Sequence, residues 1–231
     1  MAHRSLQNVR SRSLAKNNAR VLDRHARRGG GVGKRARGAG GRQRQSYMPP
    51  ERWYEPSATV TKRLKIVYQP PGEGYRHVVT AQEVRERLAQ LPEWMTSSVE
   101  VVQLSRMTRK KRTFPCYGMQ WGNAIYLYPV EDDRIEHFTS PPKPSQIIEA
   151  RMFGAQWQRV DDAWQLIWTE AALKDFYLNN ILIHELGHIL DQRNRSYVDR
   201  ERYAEWFALE YGYKSSRKQL AEEAADLFCP R

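Results

Sequence analysis

The chain has 231 residues, 40% of them hydrophobic and 11% aromatic, which is enough apolar material for one domain with a full core. No apolar run approaches the roughly 20 residues that span a bilayer, and the first 30 residues hold no continuous apolar stretch of the secretory kind. The formal charge of +12 sits at one end: residues 1–45 carry 13 of the 38 Lys/Arg and one of the 26 acids, Asp23, leaving 25 of each sign in the remainder. A strongly basic total therefore describes a leader and says little about the rest of the surface.

Residues 1–46 read as a basic, Arg/Gly-rich tail, disordered by composition. Three roles stay open for it: a solubilising tail, a DNA- or RNA-binding segment (residues 1–45) acting by counterion release, and an organelle-targeting peptide. Residues 47–58, with "YMPPERWYEPS", form a Pro-rich linker, and residues 59–231 form the domain. Two cysteines far apart, Cys116 and Cys229, make neither a C-x-x-C pair nor a disulfide framework, so a reducing, intracellular compartment fits, the cytoplasm first. Organelle-targeted and virion-associated settings follow from the other readings of the tail. Nothing in the sequence fixes the oligomeric state.

Within the domain, "RLKIVYQ" (63–69) is a strand and "PPGEGY" breaks it. Thr80 with Glu83 is a capping-box pattern opening a helix to about Leu91, with Val84, Leu88 and Leu91 as its apolar stripe. "SVEVVQLS" (98–105) is a second strand and "RMTRKKR" (106–112) a solvated basic loop. "GNAIYLYPV" (122–130) is the clearest strand, alternating Ile125 and Leu127 against Tyr126 and Tyr128. Residues 131–145 read as a loop, 147–154 as a short helix or strand, and 163–169 as a strand leading into helix. Helical patterns cover 170–192, in two segments meeting near Asn179–Asn180, then 199–213 and 216–228. Strands with one early helix, followed by C-terminal helices, make an α+β fold: a small mixed sheet packed on a helix, with C-terminal helices.

The stretch "NNILIHELGHILDQRN" (179–194) contains H-E-x-x-H. On a helix, His184 and His188 are about 40° apart and one turn removed, so both imidazoles project from one face and can share an ion. Zinc accepts imidazole nitrogens in such sites, and a catalytic site needs a third protein ligand plus water. Glu185 lies about 100° round from His184, placed to accept a proton from that water. The apolar flanks predict a buried helix, whose two His and one Glu need partners. Gly187 costs roughly 1 kcal/mol against Ala in a helix but permits close packing behind the site.

For the third ligand, Asn194 and Asp191 stand where the metzincin pattern needs His and Gly. The helix "DRERYAEWFALEYG" (199–212) places Glu201, Ala204, Glu205 and Ala208 on one face. Spacing and face favour Glu201 as ligand, with Glu205 supporting a ligand histidine. Glu205 as the ligand itself, and Asp191 one turn beyond His188, are the alternatives.

H-E-L-G-H followed by E-x-x-A-E-x-F-A, over residues 178–212, resembles the gluzincin metallopeptidases, most closely the small ImmA/IrrE-type and minimal gluzincins. Glu201, Ala204, Phe207 and Ala208 match the second motif; Glu205 stands where that family has Asp or Asn. The resemblance implies a zincin-like fold, one zinc ion per chain, and hydrolysis of a protein or peptide substrate with Glu185 as general base. Asn123-Ala124 is similar to the Asn-Ala of the edge strand that binds substrate backbone in thermolysin-like gluzincins. An oxyanion donor would come from Tyr197, Tyr203 or Tyr211. The competing reading is a nucleic-acid-binding or virion-associated protein with a structural or vestigial zinc site.

Overall fold

The structure, a computed structural model, describes residues 64–113 and 116–228. The tail, the Pro-rich linker, residues 59–63 and Cys229 lie outside the described residues.

Short β-branched runs make a four-stranded mixed sheet. Strands β1 (Lys65–Tyr68) and β3 (Val101–Leu104) run parallel to one another, and β3 is parallel to β5 (Ala124–Leu127). Strand β4 (Gly118–Trp121) pairs antiparallel with β5 and forms the margin, in the order β1-β3-β5-β4. Val102, Leu104, Ile125 and Leu127 enter the main core. Val101, Ala124, Tyr126 and Tyr128 form a second cluster, as fully buried as the first. The alternation in "GNAIYLYPV" is therefore real but separates two covered faces, as expected of an internal strand.

Helix α1 (Ala81–Ala89) starts with the expected capping box: the Glu83 amide donates to Thr80 Oγ1 at 3.2 Å, and the Thr80 amide donates to Glu83 Oε2 at 2.8 Å. It ends two residues before Leu91. Pro92 follows and stands at the N-cap position of a one-turn helix, α2 (Glu93–Thr96). The basic loop contains α3 (Arg109–Thr113), and Lys111 within it is buried rather than solvated. Its ammonium lies 2.9 Å from Cys116 Sγ and 3.9 Å from the centroid of the Tyr128 ring, so ring quadrupole and sulfur replace water.

Two further small sheets follow. Strand β2 (Tyr75–Arg76) pairs antiparallel with β6 (Val130–Glu131). Strand β7 (Ile135–Phe138) crosses the stretch expected to be a loop and pairs with β9 (Ala163–Ile167), which also pairs with β8 (Gln156–Val160). Two charged or polar residues in four hide β7 from a hydrophobicity reading. Its Glu136 points inward, where Tyr117 Oη donates to it at 2.6 Å and Trp168 Nε1 at 3.0 Å. Helix α4 (Pro144–Met152) places Pro144 at its first position, where a missing N–H costs nothing.

The C-terminal part is two long helical paths. Helix α5 (Glu170–Phe176), capped by Thr169, continues through a π turn (Tyr177–Ile181) into α6 (Leu182–Leu190). The expected junction near Asn179–Asn180 is thus a change of winding, not a break. After a short loop, α7 (Tyr197–Phe207) continues through a second π segment (Ala208–Lys214) into α8 (Ser215–Phe228), joining the two helices expected there. The fold is α+β, and no helix among the described residues is long and apolar enough to cross a membrane.

Candidate metal centre

Helix α6 is placed by its apolar majority. All seven residues from Leu182 to His188 are buried, and Leu182, Ile183 and Leu186 join the main core. That burial carries His184, Glu185 and His188 inside with it. Helix α7 packs against α6 through small residues. A Cβ added to Gly187 would lie 3.1 Å from Ala204 Cα and 3.1 Å from Phe207 Cβ, so the close packing expected of both small residues is present.

This contact brings Glu201 over the imidazoles. His184 Nε2 and His188 Nε2 are 3.1 Å apart; Glu201 Oε2 is 3.6 Å from the first and Glu201 Oε1 3.3 Å from the second. His184, His188 and Glu201 are the one group of three or more potential metal donors that converges among the described residues. The spacing fits zinc: donors about 2.0–2.1 Å from one tetrahedral ion stand ~3.3 Å from each other. Two imidazoles and one carboxylate also match the donor set of a catalytic zinc site.

The electrostatics follow from burial. Glu201's enclosure works against its charge, but its close contacts with the two imidazoles win and hold its pKa down at about 2. Burial opposes a proton on His184, while the close contact with Glu201 and the carboxylates of Glu185, Glu201 and Glu205 raise its pKa overall. Glu185 is pushed up by burial, against the pull of His184, His188 and Lys111. Without an ion the cluster is thus a network of acids and imidazoles sharing protons, which a divalent cation would replace.

The other expected residues fall elsewhere. Glu205 is exposed, outside the converging group, and no hydrogen bond joins it to either imidazole. It acts on His184 through its charge alone, and neither the hydrogen bond nor the ligand position expected of it is formed. Asp191 stands at the C-terminal end of α6, where its Oδ1 accepts from the Arg193 and Asn194 amides at 3.3 and 3.1 Å, and it does not join the converging group. His77 bonds the Gln69 carbonyl at 2.7 Å, and His137 lies on β7 rather than in a loop; neither joins the group.

Asn123 and Ala124 do not lie on an edge strand. Ala124 opens the internal strand β5 and is fully buried; Asn123 sits in the β4–β5 turn, its Nδ2 donating to Glu100 Oε1 at 3.2 Å. The two-residue turn at Gly122-Asn123 adds β4 outside them, with Gly122 at φ 58°, a region glycine enters without strain. The marginal strand next to α6 is β4. A Cβ on its Gly118 would lie 2.8 Å from Glu185 Oε1 and 2.7 Å from Ile181 Cγ2. Gly118 is therefore what lets the strand approach the H-E-x-x-H helix, a role its sequence context signals only as a glycine inside a strand.

Among the three tyrosines, Tyr203 and Tyr211 stack in an aromatic group with Trp206 and Phe207. Tyr197 Oη is enclosed and meets no hydrogen-bond partner. Burial drives its pKa far up, and the Glu201 carboxylate adds to the shift, so this hydroxyl stays neutral.

Comparison of the chain with protein-family models, with curated proteins and with solved structures finds no match. The functional reading rests on the geometry.

Proposed function

We propose that this chain is a zinc-dependent peptidase with a zincin-like fold, in which His184, His188 and Glu201 hold one zinc ion. The observation that carries the reading is the 3.1–3.6 Å spacing of three donors from two helices, with a second buried carboxylate, Glu185, on the adjoining helix face. When bound, zinc supplies a Lewis acid and lowers the pKa of water toward neutrality. Glu185, buried beside the two imidazoles, would take up the proton released there. Tyr197 Oη, enclosed and without a hydrogen-bond partner, would be free to donate to the negative oxygen that develops on the scissile carbonyl. Strand β4, in place of Asn123 and Ala124, takes the substrate as an added strand through backbone hydrogen bonds.

The test combines metal content with hydrolysis. Wild type should hold one zinc per chain by elemental analysis and cleave members of a peptide library. Glu185→Gln should keep the zinc and lose hydrolysis by about 10²–10⁴-fold. Full hydrolysis by Glu185→Gln would refute the catalytic reading. Zinc retention with no hydrolysis by wild type would favour a structural site.

A further inference from the structure

We propose that Arg87 is a positioning residue for the metal centre: its guanidinium ties the path that carries His184 and His188 to the path that carries Glu201, and so fixes the carboxylate over the imidazoles. The inference rests on the metal reading above but concerns a residue outside it, on α1.

Arg87 is buried. Its Nε donates to Asn179 Oδ1 at 2.6 Å, in the π turn that leads into α6. Its Nη2 donates to the Tyr211 carbonyl at 2.7 Å, in the π segment that leaves α7. Asn179 is held from its other side as well, its Nδ2 donating to Asp175 Oδ1 at 2.7 Å, and Asp175 Oδ2 accepts from Arg217 Nη2 at 2.6 Å. At this same place the two paths are in backbone contact: a Cβ on Gly212 would overlap the Asn179 carbonyl oxygen.

The two paths run antiparallel and pack along their length: Gly187 meets Ala204 and Phe207, and Gly212 meets Asn179 and Ile183. Glu201 and Tyr211 lie on one continuous helical path, so a clasp that holds Tyr211 to Asn179 also holds the path of Glu201 against the path of the imidazoles. Arg87 closes the far end of this packing. Its two donors in one rigid plane match two acceptors on different elements, which a lysine cannot reproduce.

The experiment measures zinc dissociation constants on the full chain by competition with a chromophoric chelator, together with the melting temperature of the metal-free protein. The variants are wild type, Arg87→Met, Arg87→Lys and Phe138→Leu, the last a core change on β7 that removes none of the clasp's hydrogen bonds. Arg87→Met should bind zinc about ten- to a hundredfold more weakly, Arg87→Lys should fall between it and wild type, and Phe138→Leu should lose melting temperature while keeping the wild-type constant. An unchanged constant in both Arg87 variants would overturn the inference, as would equal weakening in Phe138→Leu. Wild type that takes up no stoichiometric zinc would instead remove the metal reading, and this inference with it.

Discussion

Helices α6 and α7 supply the same metal centre by opposite means. Helix α6 is apolar and buried along seven consecutive residues, so its two histidines are carried inside by their neighbours. Helix α7 is polar, and only Ala204 and Phe207 among its residues are buried. Its Glu201 reaches the site because two small residues, Gly187 and Ala204, let the helices meet. The ligand pair on α6 is a property of one helix; the third ligand is a property of a contact.

Substitutions can break this contrast, the largest effect first. His184→Ala should abolish stoichiometric zinc, since among the described residues no other imidazole joins His188 and Glu201. Glu201→Ala should also release zinc at micromolar protein, while Glu201→Asp, one methylene shorter, should keep it weakly; elemental analysis after dialysis checks both. Zinc retained in full by Glu201→Ala would mean that α7 supplies its ligand from Glu205 after all. Tyr197→Phe comes next. It should lower kcat by about 10- to 100-fold, leaving KM and zinc content unchanged, and a loss confined to KM would move Tyr197 to substrate binding.

Gly212→Ala sharpens the contrast from the contact side. In a plain helix this change would stabilise by about 1 kcal/mol. Here the added Cβ meets a backbone carbonyl, so the expected outcome is a destabilisation of about 1–3 kcal/mol in denaturant titration. A stabilised variant would show that the two π segments can part without cost.

The smallest effect concerns Glu149 on α4, whose Oε1 accepts from Asn180 Nδ2 at 2.8 Å. Burial raises its pKa, with the Asn180 hydrogen bond and His184 opposing. A carboxyl with a raised folded-state pKa stabilises fully below the unfolded value of 4.5, and this contribution is lost as pH rises through the folded value. Glu149→Gln keeps an acceptor for Asn180 and removes the charge. The metal-free variant should melt slightly above wild type at neutral pH, and the gain should vanish near pH 4. A variant less stable than wild type at neutral pH would show that the ionised carboxylate is a favourable partner there.

Much of the fold was legible where a local rule applied without competition. The Thr80–Glu83 capping box, the strand within 163–169 that leads into a helix and the H-E-x-x-H face all follow from neighbours a few residues apart. Strand β7 was not legible, because its Glu136 is compensated by Tyr117 and Trp168 from distant parts of the chain. Lys111 was read as solvated for the same reason: its partners, a sulfur and an aromatic ring, are brought together by the fold. The Asn123-Ala124 assignment failed because edge or interior status is decided by which strand pairs next, and a two-residue turn placed β4 outside.

Residue spacing by itself determined that two imidazoles and a neighbouring carboxylate share the surface of one helix, since 3.6 residues per turn admits no other arrangement. Tertiary structure alone decided that Glu201 and not Glu205 or Asp191 meets them, that β4 and not β5 borders the site, and that Arg87 reaches both helical paths. Those outcomes depend on how far apart two elements pack, a distance set by side-chain volume across the interface, and no period along a single chain encodes it.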